Sequence, residues 1–321
     1  MRNNNIIEQH ENLYANAKIA VTIPCYNEAV TIEKVVRDFT AILPQADIHV
    51  FDNCSDDGSA DLAREAGAHV HFVRKQGKGH VMQTIFDSID ADVLVVVDGD
   101  DTYYAEDALR LIEPILKGEA DMVVGNRLKS ATDESMSRLH QFGNCLILRT
   151  VNLMFKTNYK DILSGYRVFS RRFVENVPLL TTGFEIETEL TLRAIERQIE
   201  TIEVPISYRS RPEGSESKLK SFYDGRRIIM TAVIILRDHK PMRLFGLLSL
   251  LCFSFVGIGS TLRILNYFDV TSLPNELLTG TVMIFSPLGI VSLSIGLILE
   301  AVNTRFRELN QLIDRNKRFK P

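Results

Sequence analysis

Hydrophobic residues in the first two-thirds of the chain fall into short runs that alternate with amphipathic stretches. The short runs are rich in β-branched residues, which favour strands, and the longer stretches repeat their apolar positions at helical spacing. The predicted strands are Lys18–Pro24, Asp47–Asp52, His69–Val73, Asp92–Asp98, Asp121–Gly125, a β-like piece at Tyr166–Phe169, and Thr201–Ile206. The predicted helices are Val30–Leu43, Asp57–Gly67, His80–Ile89, Glu106–Lys117, Arg138–Phe155 and Ile186–Arg197. This alternation predicts an α/β fold, a doubly wound and mostly parallel sheet with helices on both faces.

Two long apolar runs mark the last third of the chain. Leu244–Thr261 and Leu277–Leu299 contain no charged residue. Each is long enough to cross a hydrocarbon core of about 30 Å at about 1.5 Å per residue. We therefore expect a two-helix transmembrane hairpin, with helices at about 244–264 and 277–299. A pair of buried helices in a soluble protein is the alternative.

Basic residues are distributed unevenly around these two runs. The linker between them carries Arg263, whereas the flanks carry Arg226, Arg227, Arg237, Lys240, Arg243, Arg305, Arg307, Arg315, Lys317, Arg318 and Lys320. The positive-inside rule places both flanks, and with them the α/β domain, in the cytoplasm. The protein is therefore predicted to be integral to the cell (inner) membrane.

The pattern divides the chain into four segments. These are an N-terminal tail at 1–17, an α/β domain at 18–219, an amphipathic segment at 220–242, and the hairpin with a basic cytoplasmic tail at 243–321. Within the third segment, Phe222–Asp238 is apolar and basic at helical spacing, which predicts a helix lying in the membrane interface. An ordinary amphipathic packing helix is the alternative.

Composition narrows the class of protein. The 321 residues include 37 Lys+Arg against 41 Asp+Glu, a net charge of −4, which argues against a general nucleic-acid binder. The four cysteines lie far apart without a C-x-x-C pair, so neither a disulfide framework nor a zinc site is indicated. The N-terminus lacks the apolar core of a signal peptide. The mean hydropathy of +0.00 is the average of a polar domain and a strongly apolar hairpin.

A pair of carboxylates follows the most apolar predicted strand. Asp98 and Asp100 are separated by Gly99, and Asp101 and Thr102 come next. Ligands of open α/β sheets bind beyond the carboxyl ends of the strands, where such a pair can hold Mg²⁺ or Mn²⁺ against phosphate oxygens. The alternative is an acidic turn in which Asp101 or Thr102 caps the following helix.

Two polar loops follow the first two predicted strands. Pro24–Glu28 is PCYNE, and Asp52–Gly58 is DNCSDDG. Neither is G-x-G-x-x-G or G-x-x-x-x-G-K-[ST], so the phosphate cradles of dinucleotide dehydrogenases and P-loop NTPases are missing. The loops instead offer an aromatic ring, hydrogen-bond acceptors and carboxylates suited to a base and a ribose. Plain turn chemistry is the alternative.

Eight motifs in order carry a resemblance to a known family. They are IPCYNE, DNCSDDGS, GKG, DGD, GNR, DILSGYR, GFEIETE and RPEGSESKL. The chain resembles family 2 glycosyltransferases of the GT-A fold, and within them it is most similar to the polyprenyl-phosphate sugar transferases, relatives of dolichyl-phosphate mannose and glucose synthases. The match covers roughly Ile19–Leu219. The trailing hairpin is similar to that of the membrane-anchored members.

The resemblance implies roles for particular residues. It implies a nucleotide-sugar site formed by Pro24, Tyr26, Asn27, Glu28, Asp52, Lys78, Asp98 and Gly99. It implies a divalent-cation site formed by Asp98 and Asp100, and a catalytic set of Asp98, Asp100, Arg127 and Asp161. It implies an acceptor-phosphate site formed by Arg138, Arg211, Ser217 and Lys218. Some mannose synthases of the family have Gln where this chain has Thr102, which leaves the sugar and the nucleotide open.

Several of these residues have plainer interpretations. Arg127 would also suit an exposed salt bridge, Asp161 a turn, and Lys78 a solvated charge. Glu185 and Glu187 lie near the start of a predicted helix, where the helix dipole favours acidic side chains.

The reaction implied is transfer of a hexose-type sugar from a UDP- or GDP-sugar to undecaprenyl or dolichyl phosphate held at the bilayer. An acceptor phosphate has a second pKa of about 6, so at neutral pH it can attack without a strong enzymatic base. Direct displacement predicts inversion at the anomeric carbon. The oligomeric state, including a homo-oligomer, is left open.

Other functions predict different features. A diacylglycerol or another glycolipid acceptor would require a general base. A non-catalytic nucleotide-sugar-binding membrane partner would not require an intact Asp98/Asp100 pair. A processive polysaccharide synthase is disfavoured because the chain has no Q-x-x-R-W motif and no tryptophan.

Overall fold

The computed structural model describes residues 17–127, 138–179, 186–212, 233–234, 236–268 and 274–318. The chain forms two compact units, Met1–Gly225 and Arg226–Pro321. The strands of the first unit are β1 (Ile19–Cys25), β2 (Asp47–Asp52), β3 (His69–Phe72), β4 (Val93–Val96), β5 (Met122–Asn126), β6 (Arg167–Ser170) and β7 (Thr201–Pro205). Its helices are α1 (Ile32–Ile42), α2 (Ser59–Glu65), α3 (Lys78–Ser88), α4 (Asp107–Leu116), α5 (Arg138–Phe155), α6 (Arg171–Asn176) and α7 (Ile186–Glu196).

The strands of the first unit form one seven-stranded sheet in the order β3-β2-β1-β4-β6-β5-β7. Parallel pairs join β1 to β2 and β4, β2 to β3, and β5 to β7. Strand β6 runs antiparallel between β4 and β5. The predicted doubly wound, mostly parallel sheet is therefore confirmed, with a reversed strand that the sequence pattern did not reveal. Because β6 is reversed, the residues before it lie at the carboxyl end of β4.

Two apolar cores cover the two faces of the sheet. Alternate residues of β1 point to opposite sides, so that Val21 joins one core and Ala20 the other. Helices α1 and α4 pack on the first face, where Phe39 is fully buried. Helices α3, α6 and α7 pack on the second face around Phe173. Burying each such side chain contributes about 1.5–3 kcal/mol, and the two layers hold the strand ends in fixed positions.

The predicted elements match the observed ones to within a few residues at their ends. The structure decides one open point at the segment Asp98–Thr102, which we call the acidic turn. Helix α4 begins at Asp107, and its N-cap is Glu106. The alternative in which Asp101 or Thr102 caps this helix is therefore excluded. Asp101 instead adopts a left-handed conformation with φ of 58°, which turns the chain directly after the carboxylate pair.

The second unit contains two long apolar helices, α8 (Pro241–Tyr267) and α9 (Asn275–Arg318). By length and composition, α8 and the part of α9 from Asn275 to Phe306 can cross a membrane, in agreement with the predicted hairpin. Helix α9 continues well past the predicted end at 299, through the basic tail to Arg318. The segment predicted at 220–242 lies largely outside the described residues, as does almost all of the tail predicted at 1–17.

Small residues hold α8 and α9 close together. The Ser249 hydroxyl donates to the Gly289 carbonyl at 2.9 Å, and the Ser292 hydroxyl donates to the Phe245 carbonyl at 2.9 Å. A Cβ added at Gly296 would lie 2.9 Å from the Cβ of Phe245, so a larger residue there would push the helices apart. Close approach at small residues with hydroxyl-to-carbonyl bonds is how helices pack in lipid.

Candidate active site

The polar loops predicted from the sequence meet at one edge of the sheet. Strands β2, β1 and β4 are neighbours and run parallel, so the loops that follow them share this edge. The Asn27 backbone N–H donates to the Ser55 hydroxyl at 2.9 Å, which joins the first two loops. The Thr31 hydroxyl donates to the Gly99 carbonyl at 2.7 Å, which joins the first loop to the acidic turn. The three loops therefore form one continuous surface.

Asp52 lies at the end of β2 and is almost completely buried. One of its carboxylate oxygens accepts a hydrogen bond from the Ser55 backbone N–H at 3.3 Å. The other is buried and has no hydrogen-bond partner among the described residues. A buried acceptor of this kind is costly unless a donor reaches it, so the oxygen is suited to an N–H group of a bound ligand. The Tyr26 ring, 37% exposed, lies on the neighbouring loop.

Asp98 forms the first half of the carboxylate pair. Its Oδ1 lies 2.6 Å from the ammonium group of Lys78, the first residue of α3. The same ammonium group lies 2.5 Å from Oε1 of Glu187 on α7. Burial alone would lower the pKa of Lys78, but the charges of Asp98 and Glu187 hold it well above its usual value. Lys78 is therefore a partly buried ammonium, 15% exposed, that stays charged between two carboxylates and is not a freely solvated charge.

Asp100 forms the second half of the pair and, unlike Asp98, is buried. Its Oδ1 accepts hydrogen bonds from the Thr102 hydroxyl at 2.6 Å and from the Thr102 backbone N–H at 3.2 Å. Its Oδ2 lies 2.6 Å from an Arg211 nitrogen, and Arg211 also lies 3.6 Å from Glu28 Oε1. Burial, together with the charge of Asp98, raises the pKa of Asp100, and Arg211 opposes this rise. Each carboxylate of the pair thus has its own basic partner.

The carboxylate pair fits a divalent cation. Mg²⁺ and Mn²⁺ prefer oxygen ligands and usually bind few carboxylates, sharing the remaining positions with water and phosphate oxygens. The described residues contain no group of three or more His, Cys, Asp or Glu side chains placed to hold a metal. Asp98 and Asp100 would therefore bind a cation together with ligand oxygens, as is common for a site that binds a diphosphate.

A glycine leaves room for the first carboxylate. Gly165 precedes β6, and a Cβ added to it would lie 2.2 Å from Asp98 Oδ2. The Gly165 backbone N–H donates to the Tyr103 hydroxyl at 3.0 Å, which fixes the glycine against the acidic turn. Any side chain at this position would occupy the space of the Asp98 carboxylate.

Arg127 and Asp161 form a buried ion pair beside the acidic turn. Arg127 Nε lies 2.8 Å from Asp161 Oδ2, and Arg127 Nη2 lies 3.1 Å from Oδ1, which is the two-pronged geometry that the guanidinium group favours. The guanidinium also lies over the Tyr208 ring, 5.5 Å from its centre. Burial alone would raise the pKa of Asp161, but Arg127 outweighs burial and holds that pKa below its usual value. The exposed salt bridge considered for Arg127 is thus a buried one.

An Asp161→Asn variant is expected to lose about 3 kcal/mol of stability, because it leaves the buried Arg127 charge without its counter-charge. Since the pKa of Asp161 is lowered in the folded state, its stabilising contribution is present above its unfolded pKa and lost as pH falls through the folded pKa. At pH values below about 4, the melting temperature of the detergent-solubilised wild type should therefore decrease as the pH is lowered. The variant should show a weaker dependence of melting temperature on pH. Equal pH dependence in the two proteins would contradict this assignment.

A fully buried arginine organises the loop that carries Asp161 and Gly165. Arg167 Nη2 donates to the Ile162 carbonyl at 2.7 Å, and its Nε donates to the Ser164 carbonyl at 2.9 Å. These bonds fix the backbone next to Asp161, which holds Arg127, and next to Gly165, which lies against Asp98. The arginine belongs to the motif DILSGYR, but its position in the sequence does not show which carbonyls it holds.

Other predicted residues are described only in part. Arg138 is the first residue of helix α5, and the structure describes its backbone but not its side chain. Ser217, Lys218 and Glu185 lie outside the described residues altogether. Of the predicted acceptor-phosphate residues, Arg211 alone is described with its side chain, and it lies against Asp100. Glu187 lies in the first turn of α7, where the helix dipole favours an acidic side chain, and it also contacts Lys78.

Comparison with known proteins shows the family to which the chain belongs. The model of glycosyl transferase family 2 matches residues 20–177. Glycosyltransferase AglJ of Haloferax volcanii is 32% identical over 92% of this chain and 97% of the relative. A dolichyl-phosphate hexose transferase of the same organism is 31% identical over 71% of this chain and 97% of the relative.

A solved structure has the same fold. Glucosyl-3-phosphoglycerate synthase from Mycobacterium tuberculosis, crystallised with Mn²⁺, uridine diphosphate and phosphoglyceric acid, superimposes with a TM-score of 0.58. It is 20% identical and covers 71% of this chain and 81% of its own. The fold is that of a glycosyltransferase of the GT-A type. The chain belongs to glycosyl transferase family 2, and it is a glycosyltransferase.

Proposed function

We propose that this enzyme transfers a hexose-type sugar from a nucleoside diphosphate sugar to a polyprenyl phosphate, undecaprenyl or dolichyl phosphate, at the cytoplasmic face of the membrane. The observation that carries the proposal is the pair of a partly exposed Asp98 and a buried Asp100, each held by a basic side chain, in a chain that also has a membrane-length hairpin. A site with this charge pattern suits a reaction between two phosphate compounds. The similarity to a dolichyl-phosphate hexose transferase supports the acceptor class.

The donor is bound at the ends of β1, β2 and β4. The buried oxygen of Asp52, which has no hydrogen-bond partner among the described residues, accepts an N–H of the base. Uracil and guanine both carry a ring N–H, so UDP- and GDP-sugars are both consistent with this contact. Tyr26 provides a ring surface beside it, and Pro24, Asn27, Glu28 and Gly99 shape the loops around the nucleoside.

Asp98 and Asp100 hold the divalent cation, Mg²⁺ or Mn²⁺. When bound, the cation neutralises the charge that develops on the departing nucleoside diphosphate. Lys78 and Arg211 lie against these carboxylates and supply further positive charge to the phosphates. Arg127, whose guanidinium group is held by Asp161, provides another positively charged side chain beside the acidic turn.

The acceptor phosphate needs no strong base, because its second pKa of about 6 leaves it largely ionised at neutral pH. Arg211, with Arg138, Ser217 and Lys218, binds this phosphate and orients one of its oxygens toward the anomeric carbon. A carbon–oxygen bond forms to the acceptor as the bond to the nucleoside diphosphate breaks. This direct displacement inverts the anomeric carbon.

The domain at 18–219 performs this reaction, the segment at 220–242 lies in the interface, and the hairpin at 243–321 anchors the enzyme in the cell (inner) membrane. A polyprenyl tail dissolves in the bilayer, so its phosphate is presented at the interface. The basic flanks of the two apolar helices favour a cytoplasmic catalytic domain. The bilayer therefore supplies the acceptor phosphate at its interface.

The test is transfer of labelled sugar into the organic phase. Membranes containing the enzyme are incubated with labelled UDP- and GDP-sugars and with undecaprenyl phosphate, dolichyl phosphate, unphosphorylated polyprenol or diacylglycerol. We expect label in the organic phase with a polyprenyl phosphate and none with the two alcohols. Label transferred to diacylglycerol but not to a polyprenyl phosphate would overturn the proposed acceptor. Membranes with the Asp98→Asn variant provide the blank.

A further inference from the structure

Lys78 is shared between a carboxylate of the acidic pair and a carboxylate outside it. The ammonium lies 2.6 Å from Asp98 and 2.5 Å from Glu187, and the side chains of Lys78 and Glu187 are 15% and 9% exposed. The three groups come from three elements, the end of β4, the start of α3 and the first turn of α7. Three charges on separate elements are held together, with Asp98 the most exposed of the three at 26%.

A cation at Asp98 would change this balance. A divalent cation on Asp98 would compete with the ammonium for the same carboxylate and weaken the attraction between Lys78 and Asp98, because two positive charges would then share one partner. Glu187 would be the remaining counter-charge of Lys78 among the contacts described. It would keep the long lysine side chain buried and close to the phosphates instead of letting it turn toward water.

Glu187 is well placed for such a task. Its backbone carbonyl accepts a hydrogen bond from the Thr191 hydroxyl at 3.1 Å, and that hydroxyl also receives the Arg167 Nη1–H at 3.0 Å. The start of α7 is thereby tied to the buried arginine that organises the loop before β6. The position of Glu187 is thus set by the same framework that sets Gly165 and Asp161.

We propose that Glu187 is a positioning residue that holds the Lys78 ammonium against the donor diphosphate once a divalent cation occupies Asp98. The inference rests on the donor and cation assigned under the proposed function. It assigns Glu187 no direct contact with substrate, since it acts through Lys78. An acidic side chain that only interacts favourably with the helix dipole would have no effect on binding of the donor.

The test is nucleotide affinity at saturating Mn²⁺, measured by calorimetry on the detergent-solubilised full chain with UDP and with GDP. Glu187→Gln is expected to weaken binding of the nucleotide that the wild type prefers by about tenfold, the effect of losing about 1.4 kcal/mol of charge attraction. Lys78→Met is expected to weaken it at least as much. The double variant should bind no more weakly than Lys78→Met alone, because Glu187 acts through the lysine.

Glu189→Gln is the matched control. Glu189 lies in the same first turn of α7 and pairs with Arg193 at 3.3 Å, so the same chemical change is made without touching the Lys78 contact. Its nucleotide affinity should stay within about twofold of the wild type, the usual limit for a change away from the site. Thermal unfolding of each variant checks that α7 is intact.

Three results would overturn the inference: wild-type affinity in Glu187→Gln, equal weakening in Glu189→Gln, or additive losses in the double variant. The measurement separates this inference from the proposed acceptor. An enzyme that binds nucleotide and Mn²⁺ as expected but transfers no sugar to a polyprenyl phosphate would refute the acceptor alone. A wild type that binds neither nucleotide with Mn²⁺ would refute the donor and cation sites together with this inference.

Discussion

An Asp98→Asn enzyme is expected to transfer sugar with a kcat/KM about 10³-fold below that of the wild type, the size of effect seen when one charge-stabilising group is lost from an active site. Asparagine keeps the shape of the side chain but removes the charge that a divalent cation requires. The fold should persist, because Lys78 retains its contact with Glu187 at 2.5 Å. Initial rates of labelled transfer at varied Mn²⁺ measure the effect, and excess Mn²⁺ should not restore the rate.

Asp92→Asn is the control for this experiment. Asp92 lies immediately before β4, at the opposite end of the strand from Asp98. Its half-exposed carboxylate accepts a hydrogen bond from the Lys18 backbone N–H at 2.9 Å and lies 3.3 Å from Arg171. Surface changes of this kind usually alter stability by no more than about 0.5 kcal/mol, so transfer should stay close to that of the wild type. An Asp98→Asn enzyme as active as this control would show that the cation and the diphosphate are bound elsewhere.

The strand ends that carry the site could be predicted from the sequence because parallel strands place their carboxyl ends on one edge. The runs ending at Pro24, Asp52 and Asp98 each finish in a polar loop, and β1, β2 and β4 are neighbours in the sheet. The long apolar helices followed from length and the absence of charge alone. These features depend on local patterns, which the sequence carries directly.

The contacts of Gly165 and Glu187 could not be predicted in the same way, because they depend on the order and direction of strands. Strand β6 pairs antiparallel with β4, in a register that sets Arg167 opposite Val96. Following that register two residues further places Gly165 opposite Asp98. A run of four β-forming residues carries no information about the direction in which it will pair. The sequence therefore could not predict that Gly165 lies next to the acidic turn.

The ion-pair partners of the charged residues could not be predicted from the sequence for a related reason. Arg127 and Asp161 are 34 positions apart, and Lys78 and Glu187 are further apart still. A charged residue in a motif can be recognised by its type, but the choice between a solvated charge and a buried pair is made by packing. Burial turns each of these residues from a weakly held surface group into part of a fixed arrangement around the acidic turn.

A Gly165→Ala enzyme is expected to lose transfer activity by about 10²-fold, because the added methyl group takes the space of the Asp98 carboxylate. The Cβ would lie 2.2 Å from Asp98 Oδ2 and 2.8 Å from its Cγ, distances at which one group has to move. Since the glycine is tied to Tyr103 through its backbone, the aspartate side chain is the group that moves. Initial rates should fall while Mn²⁺ dependence shifts to higher concentrations.

A double-mutant cycle shows whether this effect acts through the aspartate. The three heavy atoms nearest to the added Cβ all belong to Asp98, at 2.2, 2.8 and 3.0 Å, so the aspartate is the group that the methyl group meets first. Gly165→Ala should therefore lower the melting temperature in the wild-type background, by the amount that corresponds to an overpacking cost of about 1–3 kcal/mol. In an Asp98→Ala background the same change should cost almost nothing. Equal losses in both backgrounds would mean that the glycine is needed by the backbone and not by the carboxylate.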